Sequence, residues 1–194
     1  YADVLPSWFE IYIGLEAAAS RIRAYEVQFV PGLLQTEDYA RAVIRLGHLE
    51  ATPEEVERRV TMRMTRRECL TGPDAPRLWA VVDEAVLRRP LGGRTVMRAQ
   101  LTHLIEITEL SNVTLQIVPF EALGQAAAGG PFAILRFAES EITDIVYLEQ
   151  LTSAVYLDKP ADIDKYLRTM DGLCAAAVQP AETVELLTTL LAEC

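Results

Sequence analysis

The sequence predicts an α+β fold: a mixed β-sheet, with a parallel β-α-β unit followed by an antiparallel meander, packed with N-terminal and C-terminal helices. Three observations predict it. Leu78 to Phe120 reads as strand, helix, strand, an order that pairs its strands in parallel through a crossover. Three short apolar runs with brief connections follow between Phe132 and Leu157, as in a meander. Capping and proline signals open helices on both sides of this region.

In the crossover unit, Leu78-Trp79-Ala80-Val81-Val82 is an apolar run expected to be buried on both faces, and it leads directly into Asp83-Glu84. Gly92-Gly93 breaks the chain. Thr95 then serves as N-cap for a helix whose Met97, Leu101, Leu104 and Thr108 share one face. Asn112 stops that helix, and Val113 to Val118 has the β-branched content of a strand ending at Pro119.

Before this unit, Ser7-Trp8-Phe9-Glu10 has capping-box spacing. It predicts a helix with Trp8, Ile11, Tyr12, Leu15, Ala19 and Ile22 on one side. Tyr25 to Phe29 alternates apolar and polar residues like a half-exposed strand, and Pro31-Gly32 turns the chain. Thr36 caps a helix bounded by Gly47, with Glu37 and Asp38 at its positive end. Thr52-Pro53-Glu54-Glu55 is a second capping box and opens a helix running to about Leu70. On its wheel Val56, Val60 and Leu70 define the apolar side. Arg63 and Arg67 fall inside that arc, whereas Arg58, Arg59 and Arg66 point elsewhere, toward solvent. A guanidinium facing a core must be paired, because an unpaired buried charge costs several kcal/mol.

After the unit, residues 124–130 form a small-residue loop, expected to be mobile. The meander strands are Phe132 to Phe137, Ile145 to Glu149 and Ala154 to Leu157. Pro160 introduces a helix carrying Ile163, Tyr166, Leu167, Met170 and Cys174, and Pro180 one carrying Val184, Leu187, Leu190 and Leu191. The expected organisation is one domain over 1–194, with a helical part at 1–75, a sheet core at 76–158 and C-terminal helices at 159–194.

The chain has 194 residues and a formal net charge of −10, which opposes contact with a polyanion. No apolar run approaches the roughly 18 residues of a membrane-spanning helix. Tyr1-Ala2-Asp3-Val4 lacks the pattern of a signal peptide, so a cytoplasmic protein is expected. Cys69, Cys174 and Cys194 are an odd set without metal-type spacing and predict buried or incidental thiols rather than a disulfide framework. No phosphate-binding glycine loop, nucleophile elbow or zinc-type histidine pair occurs, and His48 and His103 lie on different predicted helices. No cofactor and no metal are expected.

Asp83-Glu84 is the best polar candidate, because open α/β sheets place their sites just past the C-terminal ends of parallel strands. The specific expectation is that Asp83 or Glu84 meets Arg63 or Arg67 at the sheet edge, joined by Gln100 and Glu149, in a polar pocket. The alternative is a structural ion-pair network without a ligand.

The sequence resembles the C-terminal domain of unknown function found in actinobacterial regulators, above all of Streptomyces and its relatives. There it follows an XRE-type helix-turn-helix, and its members are often labelled antitoxin-like. The matching pieces are Val30-Pro31-Gly32-Leu33-Leu34-Gln35-Thr36 with Tyr39-Ala40-Arg41-Ala42, Arg63 and Arg67, and Val82-Asp83-Glu84-Ala85 with Leu87-Arg88-Arg89. Gly92-Gly93, Met97, Gln100-Leu101, Val118-Pro119-Phe120, Gly130-Pro131-Phe132 and Tyr147-Leu148-Glu149 complete them. Sixteen Arg against two Lys also suit a GC-rich genome. Relatives often carry a histidine after Phe120, where this chain has Gln125 and alanines. The resemblance implies that a DNA-binding domain precedes Tyr1, and that the partner is a small acidic protein from a neighbouring gene.

Three functional readings follow. The first is a non-catalytic effector- or partner-binding domain of a regulator, touching DNA only through the missing domain. Its receptive surface comprises Pro31 to Thr36 with Gln35, Arg63, Arg67, Asp83, Glu84, Gln100, Glu149 and the loop 124–130, and it takes that acidic protein or a small-molecule effector. The second is an enzyme using Asp83 and Glu84 on a small polar substrate. The third is self-association as a homodimer through the first or last helices.

Overall fold

The computed structural model describes residues 6–122 and 130–194. Among them six strands form one sheet in the order β3-β2-β1-β4-β5-β6. They are β1 (Arg21–Glu26), β2 (Arg77–Asp83), β3 (Val113–Val118), β4 (Phe132–Arg136), β5 (Ile145–Glu149) and β6 (Ala154–Leu157). β3, β2 and β1 run parallel, and β4, β5 and β6 add antiparallel neighbours. The helices are α1 (Ser7–Ala18), α2 (Glu37–Gly47), α3 (Pro53–Arg67), α4 (Glu84–Arg88), α5 (Arg94–Ile107), α6 (Pro160–Ala176) and α7 (Pro180–Glu193). The fold is α+β with a mixed sheet, as the pattern of elements predicts.

The crossover unit holds, with Leu78 of β2 opposite Val113 of β3. Trp79 at the start of β2 is 37% exposed, so burial on both faces begins only at Ala80. The first strand differs most from expectation. It lies at Arg21–Glu26 rather than Tyr25 to Phe29, and it is central, with β2 on one side and β4 on the other. Ile22 therefore belongs to this strand and not to α1. The alternation at 25–29 is local, whereas the position of β1 is set by pairing with two distant strands.

One face of the sheet, through Tyr25, Val81, Phe132, Ile134 and Val146, packs on Ile163, Met170 and Leu173 of α6. The other face, through Ile22, Leu78, Ala80, Val82, Leu115, Ile117 and Leu135, packs on α5 and α7. Burying a Leu or Met side chain is worth about 2 kcal/mol, so Met97, Leu101, Leu104, Leu187 and Leu190, all 3% exposed or less, anchor α5 and α7. In α7 the polar Thr183 turns inward instead of Val184, and its hydroxyl donates to the Leu115 carbonyl at 2.8 Å. The Val178 amide donates to Ile117 at 2.9 Å, so the link between α6 and α7 covers the outer edge of β3.

Caps follow local chemistry in part. Thr52 and Glu55 form the reciprocal capping box, and Thr36 accepts from the Tyr39 amide. Pro6, not Ser7, occupies the N-cap of α1, so the expected box there is not formed. Gly93, not Thr95, caps α5. Gly92 and Gly93 have φ of +75° and +93°, a region L side chains avoid. A Cβ on Gly92 would also lie 3.0 Å from Val96 and 3.1 Å from Ala42. The short helix α4 fills the stretch after Asp83-Glu84. The loop expected at 124–130, with Gln125, lies outside the described residues except for Gly130. Among the described residues, no helix is long and apolar enough to cross a membrane.

Candidate functional site

Strand order reverses at β1: the chain proceeds through β2 and β3 on one side and returns through β4 to β6 on the other. In open α/β sheets such a reversal leaves a crevice at the C-terminal end of the strand. Here that end carries Glu26. Ala24 pairs with Ala133, and Ala133 with Tyr147. Side chains two residues on point to the same face, so Glu26 and Glu149 share the face on which α1 and Tyr12 pack.

Arg63 reaches this place from α3. It donates to Gln35 Oε1 at 3.0 Å. Gln35, 2% exposed, in turn donates through Nε2 to the Val30 carbonyl at 2.7 Å. Glu26 and Arg63 are both half-buried and closely surrounded. Glu149 stands at the open rim and accepts from the Tyr147 hydroxyl at 2.9 Å. Burial, reinforced by Glu149 and partly offset by Arg63, pushes the Glu26 carboxyl up to about 8. Burial first, and then the neighbouring Arg66, lower the Arg63 guanidinium to about 10. Burial and the adjacent Glu149 raise the Tyr147 phenol, which keeps it a donor.

An aromatic and ionic layer borders this group. Tyr12 stacks on Tyr147 with centroids 4.2 Å apart. Arg66 donates to both oxygens of Glu16, at 2.8 and 2.9 Å, and its guanidinium lies over the rings of Phe9 and Tyr12. Arg66 was expected in solvent; instead its side chain is 11% exposed, because Glu16 of α1 pairs with it there.

The loop from Val30 to Thr36 is fastened from three sides. Gln100, with no exposed surface, donates to the Leu34 carbonyl and accepts from the Thr36 amide, both at 2.8 Å. Tyr39 accepts from the Val30 amide at 3.2 Å. Arg67 donates to the Gln35 carbonyl at 3.0 Å and lies 3.5 Å from His103. Arg67 and His103 line an open groove of about 850 Å³ between α3 and α5, floored by Met64, Leu70, Ile107 and Leu110. Burial, and then Arg67, lower the His103 pKa, so the ring is neutral at pH 7 and its Nε2 can accept.

The expected pairing of Asp83 or Glu84 with Arg63 or Arg67 is absent from the ion pairs and hydrogen bonds of the described residues. Asp83 accepts from the Ala85 amide at 2.8 Å as the N-cap of α4. Glu84, 5% exposed, pairs with Arg88 and accepts from the Phe120 amide at 3.0 Å. Each acid has a partner two to four residues away, which costs little chain entropy, and Glu84 is held by the Phe120 amide as well. Of the predicted site residues, Gln35 and Arg63 are hydrogen-bonded to each other, Gln100 and Arg67 brace the loop that carries Gln35, Glu149 is exposed at the end of β5, and Asp83 and Glu84 stand apart. Glu26, Glu16 and Tyr147 were not foreseen as site residues. Glu26 carried the same signal as Asp83, an acid closing a strand just before a turn. No cluster of metal-ligating side chains occurs among the described residues.

A family profile described as "Domain of unknown function (DUF5753)" matches residues 9–189. The chain belongs to the DUF5753 family. No curated protein and no solved structure matches it. The match to the DUF5753 domain takes in all of these residues, from Tyr12 and Glu16 of α1 to Glu149 of β5.

Proposed function

We propose that this chain is the effector- or partner-binding part of a helix-turn-helix transcriptional regulator of the XRE type. It is antitoxin-like, non-catalytic and cytoplasmic, and belongs to an actinobacterium such as Streptomyces. DNA contact falls to a domain preceding it, in keeping with the net charge of −10 on this part. The observation that carries the reading is how α1 is held: the Glu16–Arg66 pair ties it to α3, and the Tyr12–Tyr147 stack ties it to the sheet. A molecule seated there biases how α1 sits on the sheet, and α1 is the element to which a preceding domain would connect. Such a bias becomes a coupling of about 1–3 kcal/mol between the two sites.

The test is operator affinity of the full-length regulator, measured by fluorescence anisotropy on DNA from upstream of its own gene. It is repeated with the small acidic protein encoded next to it and with a small-molecule fraction of the cell. An affinity change of about tenfold with either addition is expected. Operator affinity unmoved by both would overturn the reading.

A further inference from the structure

We propose that the open edge of β6 pairs with β6 of a second copy of this chain, antiparallel about a two-fold axis at Val155, so that two sheets join into one.

The two edges of the sheet differ. At β3 the outward carbonyls are taken: Leu115 accepts from the Thr183 hydroxyl at 2.8 Å, and Ile117 from the Val178 amide at 2.9 Å. At β6 no hydrogen bond from a described residue reaches the outer side of the backbone. Which groups point outward follows from the hairpin. The Gln150 amide donates to the Ser153 carbonyl at 2.8 Å, and Leu148–Val155 and Val146–Leu157 are the next pairs at the same spacing. Hydrogen-bonded and open pairs alternate along an antiparallel ladder. Ser153, Val155 and Leu157 therefore bond inward to β5, and Ala154 and Tyr156 turn both N–H and C=O outward.

Such groups are a template for another strand, which natural edges often block with a charge, a proline or a bulge. Here residues 150–157 carry neither charge nor proline, on a chain whose net charge is −10. Most of the surface repels its like, and this neutral edge is where two copies approach without acid facing acid. Leu151 and Val155, 95% and 43% exposed, supply apolar area beside it.

The edge is also complementary to itself. Within β6 one antiparallel register uses every outward group: Ala154 bonds the partner's Tyr156, Tyr156 bonds the partner's Ala154, and Val155 sits beside the partner's Val155 at the axis. The contact is isologous, the same pairing made twice. In this register Asp158 lies across from the partner's Thr152, so no like charges meet. A contact of this length buries less than the roughly 1,600 Å² of a standard interface, which makes the dimer weak and concentration-dependent.

The Tyr156 hydroxyl donates to the Trp8 carbonyl, so the first turn of α1 lies over β6 next to the axis. The dimer itself stands apart from the regulatory reading above, but its consequence at DNA rests on that reading. Two copies of α1 starting near one dyad set two preceding domains about a two-fold axis, the arrangement that reads a palindromic operator.

Sedimentation velocity of the chain from micromolar to near-millimolar concentration is expected to show a monomer–dimer equilibrium. Ala154→Pro removes an N–H that the monomer leaves free, and Val155→Lys sets like charges at the axis. Each is expected to weaken the dimer about tenfold or more with circular dichroism unchanged. On oxidation Val155→Cys is expected to cross-link two copies beyond the parent level, because open pairs hold their Cα atoms about 4.5 Å apart, within the reach of a disulfide. Val184→Cys, 38% exposed on α7, is expected not to. A chain that stays monomeric throughout, a dimer indifferent to both edge substitutions, or cross-linking through Val184→Cys instead of Val155→Cys would overturn the proposal. An operator response to the acidic protein by a regulator that stays monomeric would refute this inference alone. A dimer broken by both edge substitutions, with operator affinity unmoved by every addition, would refute the regulatory reading alone.

Discussion

Arg66 of α3 grips Glu16 of α1 with two parallel hydrogen bonds, and the side chains of the pair are 11% and 5% exposed. Removing one partner leaves the other charge buried alone, so Glu16→Ala is expected to cost about 3 kcal/mol in urea unfolding. Arg66→Lys loses the fork and much of the stacking over Phe9 and Tyr12 and follows the same direction. The double variant Glu16→Leu with Arg66→Met costs less than either single loss. A cost below about 0.5 kcal/mol for Glu16→Ala would contradict the pairing.

Gln100 fastens the loop that carries Gln35. Gln100→Ala strands the Leu34 carbonyl and the Thr36 amide and is expected to cost about 2 kcal/mol. Hydrogen exchange locates the effect: the Gln35 and Thr36 amides exchange faster, while the β3 amides keep their protection. Uniform acceleration across the sheet would contradict a local clamp.

Asp83 is structural. Asp83→Ala removes the N-cap of α4 and costs about 1 kcal/mol, whereas Asp83→Asn keeps an oxygen for the Ala85 amide and is nearly neutral. Thermal unfolding reads both, and neither change alters operator response. Loss of that response in a stable Asp83→Asn variant would return this acid to the site.

Glu26 makes stability depend on pH with a definite sign. Its folded pKa is raised from the ordinary 4.5 to about 8, so between those values the native state holds a proton that the unfolded chain has released. Its contribution is therefore absent below about 4.5, grows unfavourable as pH rises to 8, and is constant beyond. Glu26→Gln abolishes that slope and stabilises the protein at pH 9, on the order of 2 kcal/mol after allowance for the solvent that reaches this half-buried side chain. Parallel pH profiles for the variant and the parent would contradict this.

The sequence was legible wherever structure is decided within a few residues. The Thr52–Glu55 box and the Met97, Leu101 and Leu104 stripe depend on helical spacing alone, and both hold. Arg63 was placed inward correctly because the wheel of α3 sufficed. Arg66 was misplaced because its partner Glu16 lies fifty residues away on another helix, which the wheel of α3 does not contain. Glu26 and Glu149 are brought to one face of the sheet by strand register through β4, a relation between segments more than one hundred residues apart. Asp83 and Glu84 mark a strand end as site residues do, but a cap and an i to i+4 pair satisfy them first.

Glu26, at the end of β1, is held up in pKa by burial and by Glu149 against the pull of Arg63. Carbon-13 NMR of the glutamate carboxyls across a pH titration measures this directly. The account predicts one glutamate, assigned by its loss in Glu26→Gln, with a midpoint near 8 that falls when Glu149 is changed to Gln. A Glu26 midpoint between about 4 and 5, the range of a solvated glutamate, would contradict it.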